Sequence, residues 1–246
     1  MTARTLSIIM PALNETHSLQ GAVLDVIQAS EAAGFPDAQI ILVDDGSTDG
    51  TGECVDFLAA TVDGIVALHH PENLGLRAAY ESGLRVATGQ YVTWVPGDGE
   101  MARESIEAIL RAVGTADLVV PYHGTPERRT WLRRLLTWGS TTQLNWLLGY
   151  DLHYFQGTVV YPTELARSLP RTEAGFFCMA EMLAHALDHD MTYTQVPLVH
   201  TDRAHGTSKA VSVKAIWRAQ KLILRLWWRL RVRTACEALG FALEAR

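Results

Sequence analysis

The first hundred residues alternate two kinds of hydrophobic pattern. Short apolar runs, "TLSIIMPAL", "AQIILVDDGS", "GIVALHH" and "QYVTWV", have strand length and end in proline, glycine or polar residues. Between them, "SLQGAVLDVIQASEAAG", "DGTGECVDFLAATV" and "GLRAAYESGLRVATG" space their apolar residues at helical period. Strands alternating with helices predict an α/β fold, a mostly parallel, Rossmann-like sheet with helices on both faces. Ligands of such sheets bind beyond the carboxyl ends of the strands. Three strands here end in polar loops, "PALNE", "VDDGSTDGT" and "PGDGE", and all three fall on the same edge.

Beyond "DLVVPYHG", one more strand leading into a loop, the pattern changes. "TPERRTWLRRLLTWGSTTQLNWLLG" reads as one or two helices, "YFQGTVVYP" as a strand, "CMAEMLAHALDHD" as a helix and "YTQVPLVH" as a strand. No internal repeat or low-complexity linker interrupts the run. The expectation is one domain over residues 1–210 followed by an amphipathic basic helical tail at 211–246.

Composition adds three points. A chain of 246 residues, 48% apolar, can bury a sizeable core. Cys54, Cys178 and Cys236 form no CxxC pair, and an odd count is not a disulfide framework, which points to a reducing, cytoplasmic setting. "MTARTLSIIM" runs straight into a strand and is too short for the apolar core and cleavage region of a signal peptide. No uncharged apolar run reaches the roughly 18 residues of a spanning helix.

Charge changes the picture more. The net charge of −6 conceals a stretch from Arg203 to Cys236 with nine Lys/Arg and no Asp/Glu. Such segregation suggests that this end meets something anionic: lipid headgroups, phosphates or nucleic acid. In "KAIWRAQKLILRLWWRLRVR", Lys214, Arg218, Lys221, Arg225 and Arg229 form one basic stripe, with Trp217, Trp227, Trp228 and leucines filling much of the rest. That profile suits a helix lying in a membrane interface. It equally suits a helix packed on its own domain or on a second copy of the chain. Arginines at every turn exclude a spanning role. The basic residues are interleaved with aliphatic bulk and no recognised module is present, so nucleic acid is not expected.

The loops carry the candidate chemistry. Asp44 and Asp45 end a strand, and Gly46, Ser47 and Thr48 can turn the chain and cap the next helix. Alternatively, one of these carboxylates accepts hydrogen bonds from a nucleobase or ribose. Asn14 and Glu15 follow another strand end, across one predicted helix, which sets the two loops side by side. In "PGDGE", Asp98 and Glu100 sit at i and i+2, with Gly97 and Gly99 opening the backbone to a diphosphate. Oxygen donors in this number suit Mg²⁺ or Mn²⁺, whose shell substrate phosphates complete. "RAHGTSK" gathers Arg203, His205, Ser208 and Lys209 around one glycine, a cationic loop suited to phosphate. His69, His70, His185 and His189 show no zinc-type grouping.

Taken together, "SIIMPALNE", "ILVDDGSTDGT", "NLGLRAAYESGLRVATGQYV" and "PGDGE" resemble the inverting, nucleotide-sugar-dependent GT-A glycosyltransferases of family 2. Polyprenyl- and dolichyl-phosphate sugar synthases are the nearest look-alikes, and "RAHGTSK" extends the likeness to Lys209. The resemblance implies that Pro11, Leu13 and Glu15 with Val43 and Asp45 cradle the nucleoside of a UDP-, GDP- or dTDP-sugar. It puts Asp98 at the family's last metal-binding acid, with Glu100 where a Gln or second ligand is usual. It implies an acid acting as base at Glu181, needed only if the acceptor is an alcohol. Arg203 and Lys209 would stabilise the leaving diphosphate or hold an anionic acceptor.

Three positions depart from the family pattern. Pro96 replaces the first acid of Asp-x-Asp. His123 replaces a phosphate-binding arginine, for which Arg128, Arg129, Arg133 or Arg134 would compensate. Tyr154 replaces an aspartate. The function implied is sugar transfer to a polyprenyl phosphate at the inner face of a membrane. A soluble hydroxyl acceptor and a non-catalytic nucleotide-binding module are the alternatives.

Overall fold

The computed structural model describes residues 4–124, 131–198 and 213–233, and side chains at 4–124, 138–198, 217 and 219–232. β1 (Leu6–Ala12), α1 (Leu19–Ala32), β2 (Gln39–Asp44), α2 (Thr51–Thr61), β3 (Ile65–His69), α3 (Leu76–Val86) and β4 (Tyr91–Trp94) follow the expected alternation. Next come α4 (Arg103–Arg111), β5 (Leu118–His123), α5 (Trp131–Leu148), β6 (Tyr161–Pro162), α6 (Thr163–Ser168), α7 (Phe177–Asp188), β7 (Tyr193–Leu198) and α8 (Val213–Trp227). A π-helical turn, Trp228–Arg233, continues α8.

The central sheet has the order β3-β2-β1-β4-β6, parallel except for antiparallel β6. β5 pairs in parallel with β7 in a second small sheet, joined to the segment before β6 by a Val119–Val160 bridge. Alternate residues divide between two cores. Ile8, Met10 and Leu42 pack with Val23, Val26, Val55 and Ile106 of α1, α2 and α4 on one face. Ile9, Ile41 and Val92 pack with Tyr80, Leu84 and Leu183 of α3 and α7 on the other. Strands buried on both sides explain why their sequences are near-continuous apolar runs.

Two elements were not anticipated from the sequence, α4 and the short α6. The expected strand "YFQGTVVYP" is reduced to β6 and the single bridge. The Thr93 hydroxyl, donating to the Thr158 and Val159 carbonyls at 3.2 and 3.3 Å, occupies groups that a longer strand would use in its ladder. The "TPERRT…" stretch yields one helix, α5, over its described part.

α8 buries Leu222, Ile223, Leu226 and Leu230 in the same core as Val92 and Leu183. Arg231 ties its end to α5 by donating to the Leu148 carbonyl and lying 5.6 Å over the Tyr150 ring. Arg225 pairs with Glu173, in the loop before α7. No helix among the described residues is long and apolar enough to cross a membrane.

Candidate active site

The loops after β1 and β2 are joined by reciprocal hydrogen bonds. The Asn14 amide donates to Ser47 Oγ (3.0 Å), and Asn14 Oδ1 accepts from the Thr48 amide (2.9 Å). The Glu15 amide donates to Thr51 Oγ1 (2.8 Å), and the Asp45 amide to the Ala12 carbonyl (2.9 Å). Asn14 takes φ +56°, a left-handed conformation that asparagine tolerates better than most residues. Pro11, Leu13 and Glu15 are partly exposed at this edge, whereas the Val43 side chain is wholly buried in the core.

Asp44 and Asp45 are both buried, at 6% and 4% exposure, and serve neighbouring loops. Asp44 Oδ1 accepts the Ser47 amide (3.0 Å), while Oδ2 meets His69 Nδ1 (3.3 Å). Asp45 accepts the Leu74 and Gly75 amides (2.9 and 2.8 Å) and meets His70 Nδ1 at 2.7 Å. A carboxylate only accepts, so His70 Nδ1 carries a proton, and Nε2 faces Ser82 Oγ at 2.9 Å. Gly46 lets the β2 loop press on the 72–73 peptide. Its φ is +74°, and a Cβ there would fall 2.6 Å from Glu72 Cα.

Both ring nitrogens of His69 face carboxylates, Asp44 and Asp56. Burial pulls its pKa down, but the hydrogen bonds to Asp44 and Asp56 outweigh this and hold it above the ordinary value. Burial pushes Asp44 up, yet the hydrogen bonds from Ser47 and His69 leave it below the ordinary carboxylate range. Reading the sequence for zinc-type spacing missed these histidines. The usable signal was register: His69 ends β3 opposite Asp44, the last residue of β2.

The third loop closes on the first. The Gly97 amide donates to the Pro11 carbonyl (3.0 Å), and a Cβ on Gly97 would stand 3.1 Å from Ala12 Cβ and Leu19 Cδ1. A side chain here would have to push these neighbours back by a few tenths of an ångström. Asp98 Oδ1 accepts the Glu100 amide (3.0 Å), which turns the loop at its tip, and both carboxylates are half-buried. Among the described residues there is no group of three or more His, Cys, Asp and Glu side chains placed to hold a metal. One or two oxygen donors fit a Mg²⁺ or Mn²⁺ whose remaining ligands are phosphate and water, and not a closed protein cage.

On the far side of β4, His123 and Tyr154, two of the positions that depart from the family pattern, lie together. Their rings meet edge-on at 4.5 Å, and Tyr122 stacks on His153 at 4.4 Å. Trp94, at the end of β4, leans on Phe176 at 5.9 Å. Glu181 has no exposure. Its Oε2 accepts the Thr172 and Glu173 amides (2.7 and 3.0 Å) and its Oε1 the Thr172 hydroxyl (2.5 Å). Arg128, Arg129, Arg203, His205, Ser208 and Lys209 lie outside the described residues, as do the side chains of Arg133 and Arg134.

A mostly parallel sheet whose first, second and fourth strands deliver interlocked polar loops to one edge has the α/β architecture of the GT-A fold. The chain belongs to glycosyl transferase family 2, which it matches over residues 7–168. It is 32% identical to the polyprenol monophosphomannose synthase of Mycolicibacterium smegmatis, over 85% of this chain and 81% of that protein. It is 27% identical to the undecaprenyl-phosphate mannosyltransferase of Micrococcus luteus, over 84% and 87%.

Among solved structures, it resembles glucosyl-3-phosphoglycerate synthase from Mycobacterium tuberculosis in complex with Mn²⁺, UDP-glucose and phosphoglyceric acid. The TM-score is 0.64, with 20% identity over 91% of this chain and 80% of that one, a likeness of fold. The protein is thus an enzyme, a nucleotide-sugar-dependent glycosyltransferase.

Proposed function

We propose that this enzyme transfers a sugar from a nucleotide-diphosphate donor to a polyprenyl phosphate at a membrane surface, with inversion at the anomeric carbon. The observation that carries the reading is the engagement of the Glu181 carboxylate by the 172–173 turn. A phosphate acceptor is already a nucleophile, so an acid at this position is free to hold the acceptor-side loop instead of taking a proton. Both curated relatives above are named for polyprenyl-type lipid phosphates and mannose, which supports a lipid phosphate and makes a mannosyl nucleotide the first donor to try.

In this reading the β1 and β2 loops, from Pro11 to Glu15 and from Val43 to Thr48, receive the nucleoside. Gly97 and Gly99 admit the diphosphate to the backbone of the third loop. Asp98, with Glu100, would hold Mg²⁺ or Mn²⁺, which when bound neutralises charge on the leaving diphosphate. Arg203, Ser208 and Lys209, with Arg128 and Arg129, are assigned to the acceptor phosphate or the departing nucleotide.

The test is incubation of the full chain with a mannosyl nucleotide, Mn²⁺ and a short-chain polyprenyl phosphate, followed by extraction into organic solvent. Labelled lipid is the expected product. Transfer only to sugar or alcohol hydroxyls would replace this reading with the soluble-acceptor alternative. Thermal shift against UDP-, GDP- and dTDP-sugars would identify the donor base, since a ligand of the folded state raises the melting temperature.

A further inference from the structure

Phe176 stands 56% exposed, although the turn that carries it is tightly held. Singly exposed apolar side chains are ordinary on a protein surface, so exposure alone carries nothing. Its setting is what differs. The Thr172 and Glu173 amides donate to Glu181 at 2.7 and 3.0 Å, and the Glu173 carboxylate pairs with Arg225 of α8. Arg77, in the first turn of α3, donates to the Arg171 carbonyl at 3.0 Å. The turn is thus tied to three helices, α3, α7 and α8. Gly175 then takes φ +60°, and its carbonyl accepts the Cys178 amide at 3.2 Å as α7 begins. A ring carried on such a turn is ordered in advance, which lowers the entropic cost of binding against it.

Topology puts this ring at the edge where the polar loops gather. β4 and β5 both run antiparallel to the 160–162 segment, and β7 is parallel to β5. β4, β5 and β7 therefore point the same way. α7 leads by a short connection into β7, so α7 starts at the edge where β4 ends. There the Phe176 ring meets Trp94, the last residue of β4, at 5.9 Å and 52°. Trp94 is 3% exposed and serves as a backing, which leaves Phe176 as the contact surface. From Trp94 to Asp98 the chain spans at most about 14 Å. Phe176 thus stands beside the loop assigned to the diphosphate, where the sugar attached to that diphosphate must lie.

The chemistry of the ring selects its ligand. The next residue, Phe177, lines the cleft shared with Leu144, Tyr154, Leu222 and Ile223, and Phe176 does not. A flexible prenyl chain needs a run of apolar contacts. Phe176 is instead one exposed ring beside a loop of glycines and carboxylates. A pyranose fits that setting. Its face of weakly positive C–H bonds lies well on the negative face of an aromatic ring, and its rim of hydroxyls suits polar neighbours.

We infer that Phe176, backed by Trp94, is the residue on which the transferred sugar of the donor stacks, so that it discriminates the sugar and not the nucleotide. The inference rests on the donor-site reading above.

The experiment is calorimetric titration of the full chain with Mn²⁺ present, using GDP-mannose against GDP and UDP-glucose against UDP. Wild type is compared with Phe176→Ala, Phe176→Leu and Phe176→Trp. For the sugar nucleotide that binds, alanine and leucine are expected to weaken affinity about tenfold, and tryptophan to hold it within about threefold of wild type. The sugar-free nucleotide should bind all four proteins within about twofold, because the substituted ring lies away from the nucleoside. Leucine keeps apolar bulk without an aromatic face, so it separates stacking from simple filling. Equal losses with and without the sugar would overturn the inference, as would a leucine variant that binds like wild type. So would unchanged donor affinity with a raised KM for polyprenyl phosphate, which would give the ring to the acceptor. If no nucleotide binds the wild type, the donor-site reading itself fails, whereas nucleotide binding that ignores these substitutions counts against Phe176 alone.

Discussion

Replacing Glu181 with glutamine separates a proton-accepting role from a structural one. The wild-type carboxylate receives three hydrogen bonds, two from the Thr172 and Glu173 amides on Oε2 and one from the Thr172 hydroxyl on Oε1. A glutamine with its oxygen in the Oε2 position keeps both amides, and its NH₂ group faces a hydroxyl that can turn to accept. The loss is then the difference between charge-assisted and neutral bonds, about 1–2 kcal/mol in total. Glu181→Ala is a harsher change, removing the partner of two partly buried amides and opening a cavity, for about 2–4 kcal/mol. Urea denaturation measures both changes, and the rate of transfer to polyprenyl phosphate measures the consequence. The expected kcat of Glu181→Gln stays within a few-fold of wild type, while Glu181→Ala loses stability and, with it, order in the 171–176 loop. A loss of about 10²–10⁴-fold in kcat for the glutamine variant, at unchanged stability and donor KM, would refute the structural assignment and make Glu181 a general base.

Other expectations follow from the same geometry. Asp98→Ala should remove the extra thermal stabilisation that Mn²⁺ adds to nucleotide binding and lower transfer about 100-fold or more, with little change in the unliganded melting temperature. Gly46→Ala should cost about 2–4 kcal/mol, from a left-handed backbone and a clash with the Glu72 backbone, and weaken nucleotide binding in a titration. His69 and Asp44 shift in opposite directions, so their windows differ. The His69 contribution is complete below its ordinary value of 6.5 and lost as pH rises through its higher folded value. The Asp44 contribution is present above 3.8 and lost as pH falls through its lower folded value. In His69→Gln, stability measured across neutral pH should therefore lose the decline with rising pH that the wild type shows.

Most of the N-terminal half was legible in the chain because its signals are local. Each of β1 to β4 is a short apolar run, and each ends in residues whose chemistry is visible without knowing their neighbours. The segment from residue 95 onward was less legible. The "YFQGTVVYP" segment has the composition of a strand, yet a side chain from β4, Thr93, takes two of its carbonyls, a competition that periodicity does not report. α4 was not legible although Ile106, Ile109 and Leu110 have helical spacing, because it is only nine residues long and Arg103, Glu104, Glu107 and Arg111 leave little apolar periodicity to read.

By itself, the order of apolar runs and loop residues determined a mostly parallel α/β sheet, the edge to which three polar loops are delivered and the carboxylates offered there. Backbone periodicity and glycine placement are properties of neighbours in the chain, and these are what such features depend on. Only the tertiary structure decided which groups of the chain those carboxylates engage. Asp44 and Asp45 meet His69 and His70 across the β2–β3 register, and Glu181 turns inward to hold a loop. Each of these depends on residues far apart in sequence meeting in space, and hydrogen bonds and burial are settled only there.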